Sequence, residues 1–301
     1  MPTYAEIRNQ ELKHIEQSLK DDNEYRRKLS RLHNSTQENI RREISADIER
    51  FATSEGISMA EAKKRISKMD VEAFQEKAKF YVEAKDFSPE ANRQLKLYNV
   101  TLRTNREELL YARVNLEVVA LANEEDKELK TYLLNKFIEE QTRQAGILGI
   151  TIPSQNEIER LFRSVVLSDV SGATFSDRIW RDQKILTHRI NETIEQALIN
   201  GRNPRTAATD IMRLVKDDVG MKRRKAERIA ITETTRAQGI SFRESLKDAG
   251  IDKYIWIAES KPCPDCKELD GQVFDLKDFE SFKTAIPRHP NCLCSLAAFV
   301  E

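Results

Sequence analysis

The 301 residues include 50 basic and 50 acidic side chains, so the formal net charge is zero and no global field draws the chain toward nucleic acid or an anionic membrane. One third of the residues are charged, glycine and proline number 9 and 8, and the mean hydropathy is -0.62, which excludes a collagen-like or proline-rich chain and favours long exposed helices. No run of about 18 apolar residues is present and Met1-Pro-Thr-Tyr-Ala-Glu6 has no basic leader, so the expectation is a soluble, mainly α protein of two or three domains, with no membrane required.

From Tyr4 to about Ala52, Tyr4, Ile7, Leu12, Ile15, Leu19, Tyr25, Leu29, Leu32, Ile40, Ile44, Ile48 and Phe51 recur at helical spacing between charge-dense faces. This predicts one long amphipathic helix, or two, covered along one side by a partner. Ser58-Met-Ala-Glu61 has the form of a capping box and predicts a further helix start. Ser88-Pro89-Glu90 places a capping serine before a proline at the first helical position. The stripe Leu95, Tyr98, Leu102, Leu109, Ala112, Leu116 and Val119 then predicts a helix over about 89–122. A separate amphipathic segment with Leu133, Leu134, Phe137 and Ile138 stops in Gly146-Ile-Leu-Gly-Ile-Thr-Ile-Pro153, which reads as a domain boundary.

Beyond it, Ser154-Gln-Asn-Glu157 is a second capping box ahead of Ile158, Leu161, Phe162 and Val165. Gly172-Ala-Thr-Phe-Ser-Asp-Arg-Ile-Trp180 leads into a helix carrying Ile185, Leu186, Ile190, Ile194 and Leu198, closed by Asn200-Gly-Arg-Asn-Pro204. Two helices follow, over about 205–216 and 222–248, the latter ended by Ala249-Gly250. Residues 251–301 hold short strand-like runs at Lys253-Tyr-Ile-Trp-Ile-Ala258, Gly271-Gln-Val-Phe274 and Cys292 to Val300. The chain is thus expected to divide into an extended helical arm (1–150), a helical core (151–250) and a small C-terminal α+β module (251–301).

All four cysteines and one of the four histidines fall in that last module, as Cys263-Pro-Asp-Cys266 and His289-Pro-Asn-Cys-Leu-Cys294. A Cys-x-x-Cys turn points two sulfurs into one concave loop, and structural zinc takes four such thiolate or imidazole ligands. His289-Pro-Asn-Cys292 nearly copies Cys263-Pro-Asp-Cys266, so Cys263, Cys266, His289 and Cys292 are the expected Zn2+ ligands. Cys294 is the alternative: an all-cysteine site with His289 outside it is the competing set. Disulfides or buried thiols are the plain reading, but paired spacing beside a histidine in a chain without a leader favours metal. Glu259 and Pro262-Cys-Pro-Asp-Cys266 resemble part of a zinc deaminase signature, yet Ile257 stands where the ligand histidine belongs and Glu259 is too close to the cysteines. The metal is therefore expected to be structural.

Lys222-Arg223-Arg224-Lys225 is the sharpest basic cluster and a candidate DNA contact, although such runs are commonly solvated faces. Glu233 and Arg236 lie three apart on one helical face and pair or act on a substrate. Trp180 and Trp256 read as core anchors. His14, His33 and His188 sit on helical segments with no metal-ligand neighbours.

Phe175-Ser-Asp-Arg-Ile-Trp180, Ala226-Glu-Arg-Ile-Ala-Ile-Thr-Glu233 with Arg236, Trp256, Cys263-Pro-Asp-Cys266, Leu269-Asp-Gly271, Phe274 and His289-Pro-Asn-Cys-Leu-Cys294 occur in an order that resembles the Mu F-like minor head protein family of tailed bacteriophages. The resemblance covers about residues 160–300. Ile231 and Leu293 stand where that family commonly carries arginine, which leaves any contact of those arginines in doubt here. Ala84 to Arg93 and the helix after it look, less specifically, like the helical arm of minor head proteins from phages of Gram-positive hosts.

The resemblance implies a non-enzymatic virion component of the phage head interior, present in the host cytoplasm during assembly. It would associate with the portal protein and with capsid or scaffold components, contact packaged DNA, oligomerise in the head, and act in head morphogenesis or in genome packaging and ejection. Two other classes stay open: a nucleic-acid-binding zinc module, and a toxin-like nuclease or transferase built on the Mu F-like region.

Overall fold

The computed structural model describes residues 3–52, 68–99, 106–167, 173–199, 204–279 and 284–300. The capping box expected at Ser58 lies outside them. The fold is mainly α with a small three-stranded sheet at its C-terminal end, as the composition and periodicity imply.

The first stripe forms a single helix, α1 (Tyr4–Ala52), uninterrupted because no glycine or proline falls within it. Ile15, Tyr25, Leu29, Ile40 and Ile44 are buried apolar positions along it. Helix α2 is Lys68–Ala84 and α3 is Pro89–Asn99. Ser88 caps α3, its Oγ accepting from the Ala91 amide at 3.2 Å, and Pro89 costs no hydrogen bond at the first position.

Of the helix expected over 89–122, Pro89–Asn99 is α3, residues 100–105 lie outside the described ones, and the part from Arg106 belongs to α4, which runs on to Leu148 and takes in the segment expected after it. Nothing between Arg106 and Ala145 breaks a helix, so the two apolar stripes join. Gly149, at φ +67°, ends α4 with the Ile150 amide bonded back to the Ala145 carbonyl at 3.2 Å. Helix α5 (Gln155–Val165) begins at the expected box: the Glu157 carboxylate accepts from the Ser154 amide at 2.8 Å and from its hydroxyl at 2.6 Å.

Helix α6 is Phe175–Ile199 and α7 is Pro204–Asp248. The two helices expected over 205–248 are one. Gly220, at the expected break, costs about 1 kcal/mol relative to alanine, and burial of Val215 and Val219 beside it offsets that.

The sheet has β1 (Lys253–Ile257) between β2 (Val273–Asp275) and β3 (Ser295–Ala298), antiparallel to both, with Tyr254 opposite Phe274 and Ile255 opposite Ala297. A short helix α8 (Pro264–Leu269) and a 3-10 turn (Leu276–Asp278) flank β2. Period-two alternation sends Tyr254 and Trp256 to one face and Ile255 and Ile257 to the other; all four are buried.

The chain forms two compact units. The first comprises Met1–Arg27, Glu128–Phe175 and Ala226–Glu301; the second comprises Lys28–Lys127 and Ser176–Lys225. In the first, Phe242, Leu246, Tyr254, Trp256, Phe279 and Leu296 build a core around the cysteines. In the second, Ile40 and Ile44 of α1, Val114 and Val118 of α4, Ile190 and Ile194 of α6, and Val215 and Val219 of α7 pack together.

Candidate metal centre

Cys263 is the N-cap of α8, followed by Pro264 at the first helical position, and its Sγ accepts a hydrogen bond from the Cys266 amide at 3.4 Å. The helical turn thereby sets both sulfurs on one side of the α8 start. The second loop makes a matching turn: the Cys292 amide donates to the His289 carbonyl at 3.1 Å, and Asn291 takes φ +62°, a left-handed conformation asparagine tolerates.

The loops meet. His289 Nδ1 lies 2.9 Å from the Pro290 carbonyl oxygen, so Nδ1–H donates there and Nε2 carries the lone pair, 3.2 Å from Cys263 Sγ and 3.4 Å from Cys266 Sγ. Cys266 Sγ is 3.9 Å from Cys292 Sγ. Two trios of ligand atoms result, Cys263–Cys266–His289 and Cys266–Cys292–Cys294, each gathered within 4.8 Å and sharing Cys266. Bonds of about 2.3 Å to sulfur and 2.0–2.1 Å to nitrogen give a tetrahedron with S···S edges of roughly 3.8 Å and S···N edges of roughly 3.5 Å, close to the separations here. These residues therefore fit a tetrahedrally coordinated ion.

The electrostatics agree. The Cys266 amide, with the neighbouring histidine, holds the Cys263 thiol below its ordinary range. Hydrogen bonding from Cys266 and then Cys294 favours Cys292 as thiolate, and both of those thiols are pushed up in return. His289 is raised by its bond to Pro290 and by the Cys292 and Cys263 charges. Crowded sulfurs cannot all ionise against one another, whereas a divalent cation in their midst lets them do so.

The surroundings hold this geometry. Thr235 Oγ1 of α7 donates to the Cys292 carbonyl at 2.6 Å and Thr232 Oγ1 accepts from the Asn291 amide at 3.1 Å. Asp270 Oδ1 accepts from the Ala258 amide at 2.8 Å, tying the α8 loop to the end of β1. Sequence reasoning does not single out the threonines; their three-residue spacing on one helical face is the only signal they carry. Cys292 and Cys294 bring their sulfurs to one side, together with that of Cys266, although they precede the strand. The strand starts at Ser295, and both cysteines before it are buried.

Glu233 and Arg236 do pair, at 2.7 Å, and Arg236 reaches the Val165 and Val166 carbonyls at 3.4 and 2.5 Å, capping the end of α5. Trp180 and Trp256 are buried, as core anchors are. The basic cluster separates. Lys222 is buried with Nζ on Glu125, Arg223 donates to Ser30 Oγ at 3.0 Å, Lys225 reaches Asp182 at 3.1 Å, and Arg224 is exposed. Lys222 is thus turned away from solvent, toward Glu125.

Fold and site together define a mainly helical protein whose C-terminal sheet is clipped by a cluster of four cysteines and one histidine able to hold a metal. Residues 188–297 match the model of the family described as Phage Mu protein F like protein, which supports over that span the resemblance to Mu F-like phage head proteins carried by the motifs. The matched span contains every candidate ligand. Neither the curated proteins nor the solved structures include a match to this chain. Among the described residues no helix is long and apolar enough to cross a membrane.

Proposed function

We propose that this chain is a head morphogenesis protein of a tailed bacteriophage, a structural component of the virion whose C-terminal module is stapled by Zn2+. The observation that carries the reading is the coincidence of the family match with the Cys/His cluster inside it. In this reading Cys263, Cys266, His289 and Cys292 hold the ion, and Cys294 stands beside them as the alternative ligand. Bound there, the ion would cross-link the two loops as a structural zinc does. Thr232, Thr235 and Asp270 position the loops, and Pro290 orients the imidazole.

The finer parts of the proposal are association with the portal vertex and with capsid or scaffold components inside the head, with a role in packaging or delivery of the genome. Residues 1–150 would act as an arm, 151–250 as the core and 251–301 as the zinc module. Co-expression with a portal protein tests it: stoichiometric zinc and co-purification are expected, and a metal-free folded protein that ignores the portal would sink it.

A further inference from the structure

In the second unit, α1 and α7 line a cavity of about 380 Å³. From α7 it receives Lys216, Gly220, Arg223 and Arg224, whose spacing of four, seven and eight residues puts them on one helical face. Gly220 contributes no side chain, and Arg224 Nη1 lies 3.8 Å from the position its Cβ would take, so the guanidinium extends over the gap. Among the described residues Asp217 is the one carboxylate in the lining, against these three cations.

His33 and Gln37 come from α1. The His33 ring is buried, and its Nε2 is 2.5 Å from Glu125 Oε1, a carboxylate that does not line the cavity. Lys222 Nζ holds the other oxygen of Glu125, so that negative charge is neutralised behind the imidazole. His33 Nδ1 is then the remaining ring nitrogen, buried and without a hydrogen-bond partner among the described residues. Buried polar atoms of this kind are rare unless something outside the chain completes them. With Nε2 committed to Glu125, Nδ1 is the ring atom left to meet a bound group.

We infer that this cavity is a phosphate-binding site, receiving the group as a small anion or as the phosphodiester of a nucleic-acid backbone. Lys216 and Arg224 supply charge at the exposed rim, Arg223 forms the wall beside Ser30, and His33 closes the back. The inference stands on this geometry and does not rest on the phage-head reading or on the metal centre.

Two titrations of the full chain at low ionic strength test it, one with inorganic phosphate by calorimetry and one with a short DNA duplex by fluorescence anisotropy. Binding of either is expected to weaken about tenfold in Lys216→Ala and in Arg224→Ala, each of which removes one charge-assisted contact. Both residues are exposed, so their melting curves should match the parent. His33→Gln keeps an amide donor for Glu125 while removing Nδ1, and should weaken binding similarly. Phosphate binding without DNA binding identifies a small-anion site; DNA binding that phosphate displaces identifies the backbone. Failure of both ligands to bind, or rim variants that bind as the parent does, overturns the assignment and leaves the zinc and family readings untouched.

Discussion

His289 Nδ1 sits 2.9 Å from the carbonyl oxygen of Pro290, and this one bond decides which ring nitrogen faces the sulfurs. The proline that follows the histidine therefore acts through its carbonyl, presetting the imidazole so that little side-chain freedom is lost when a metal is taken up.

The first prediction concerns the ligand set. Elemental analysis should find one zinc per chain. Cys263→Ser, Cys266→Ser and Cys292→Ser should each release it, whereas Cys294→Ser should retain it. Retention of zinc in His289→Ala with loss in Cys294→Ser would establish the all-cysteine set instead. Chelation should abolish the near-ultraviolet signal of Trp256, which is buried against the same cluster.

Arg236→Leu should destabilise the first unit by about 1–3 kcal/mol, because it removes the guanidinium paired with the nearly buried Glu233 and takes a donor from the carbonyls of Val165 and Val166. Denaturant midpoints measure this. A double variant that also replaces Glu233 with Gln should recover part of the loss. If Glu233→Ala altered an enzymatic activity with the fold retained, the purely structural role assigned to the pair would be wrong.

Glu125 joins α1 to α7 through His33 and Lys222. Burial alone would raise its pKa, but the Lys222 and His33 charges override that and hold it at about 2. Its folded pKa is depressed, so its contribution is fully present above the unfolded value of about 4.5 and is lost as pH falls toward 2. Acid unfolding should steepen in that window for the parent and flatten there for Glu125→Gln. The same substitution should cost about 3–5 kcal/mol at neutral pH by leaving Lys222 buried without its counter-ion.

Gly239 packs under Ile286, and a Cβ there would lie 2.4 Å from Ile286 Cγ2. A β-branched side chain has little room to turn aside. Gly239→Ala should therefore destabilise by about 1–3 kcal/mol even though alanine favours a helix, and Ile286→Ala should relieve the clash in the double variant. Thermal melts of the three proteins decide it.

Signals confined to a few neighbouring residues are legible in the chain itself. Ser88 and Pro89, the Ser154–Glu157 box, the glycine stops at 149 and 250, and the near-repeat of Cys263-Pro-Asp-Cys266 in His289-Pro-Asn-Cys292 all act locally. Helix continuity is less legible. Whether 106–148 and 204–248 are single rods depends on burial of Val118, Val215 and Val219, which offsets the weak points along them.

Periodicity, caps and loop spacing are properties of short segments, so the chain alone marks out a mainly helical protein, the start of its capped helices, and the clustering of five side chains able to ligate a metal. Tertiary structure alone decided that Lys222 turns inward to Glu125, 97 residues away, while nearby Arg224 stays at the surface, and that Arg236 closes α5. A cation's fate depends on which carboxylate or carbonyl the fold brings beside it, and such partners carry no mark in the sequence around it.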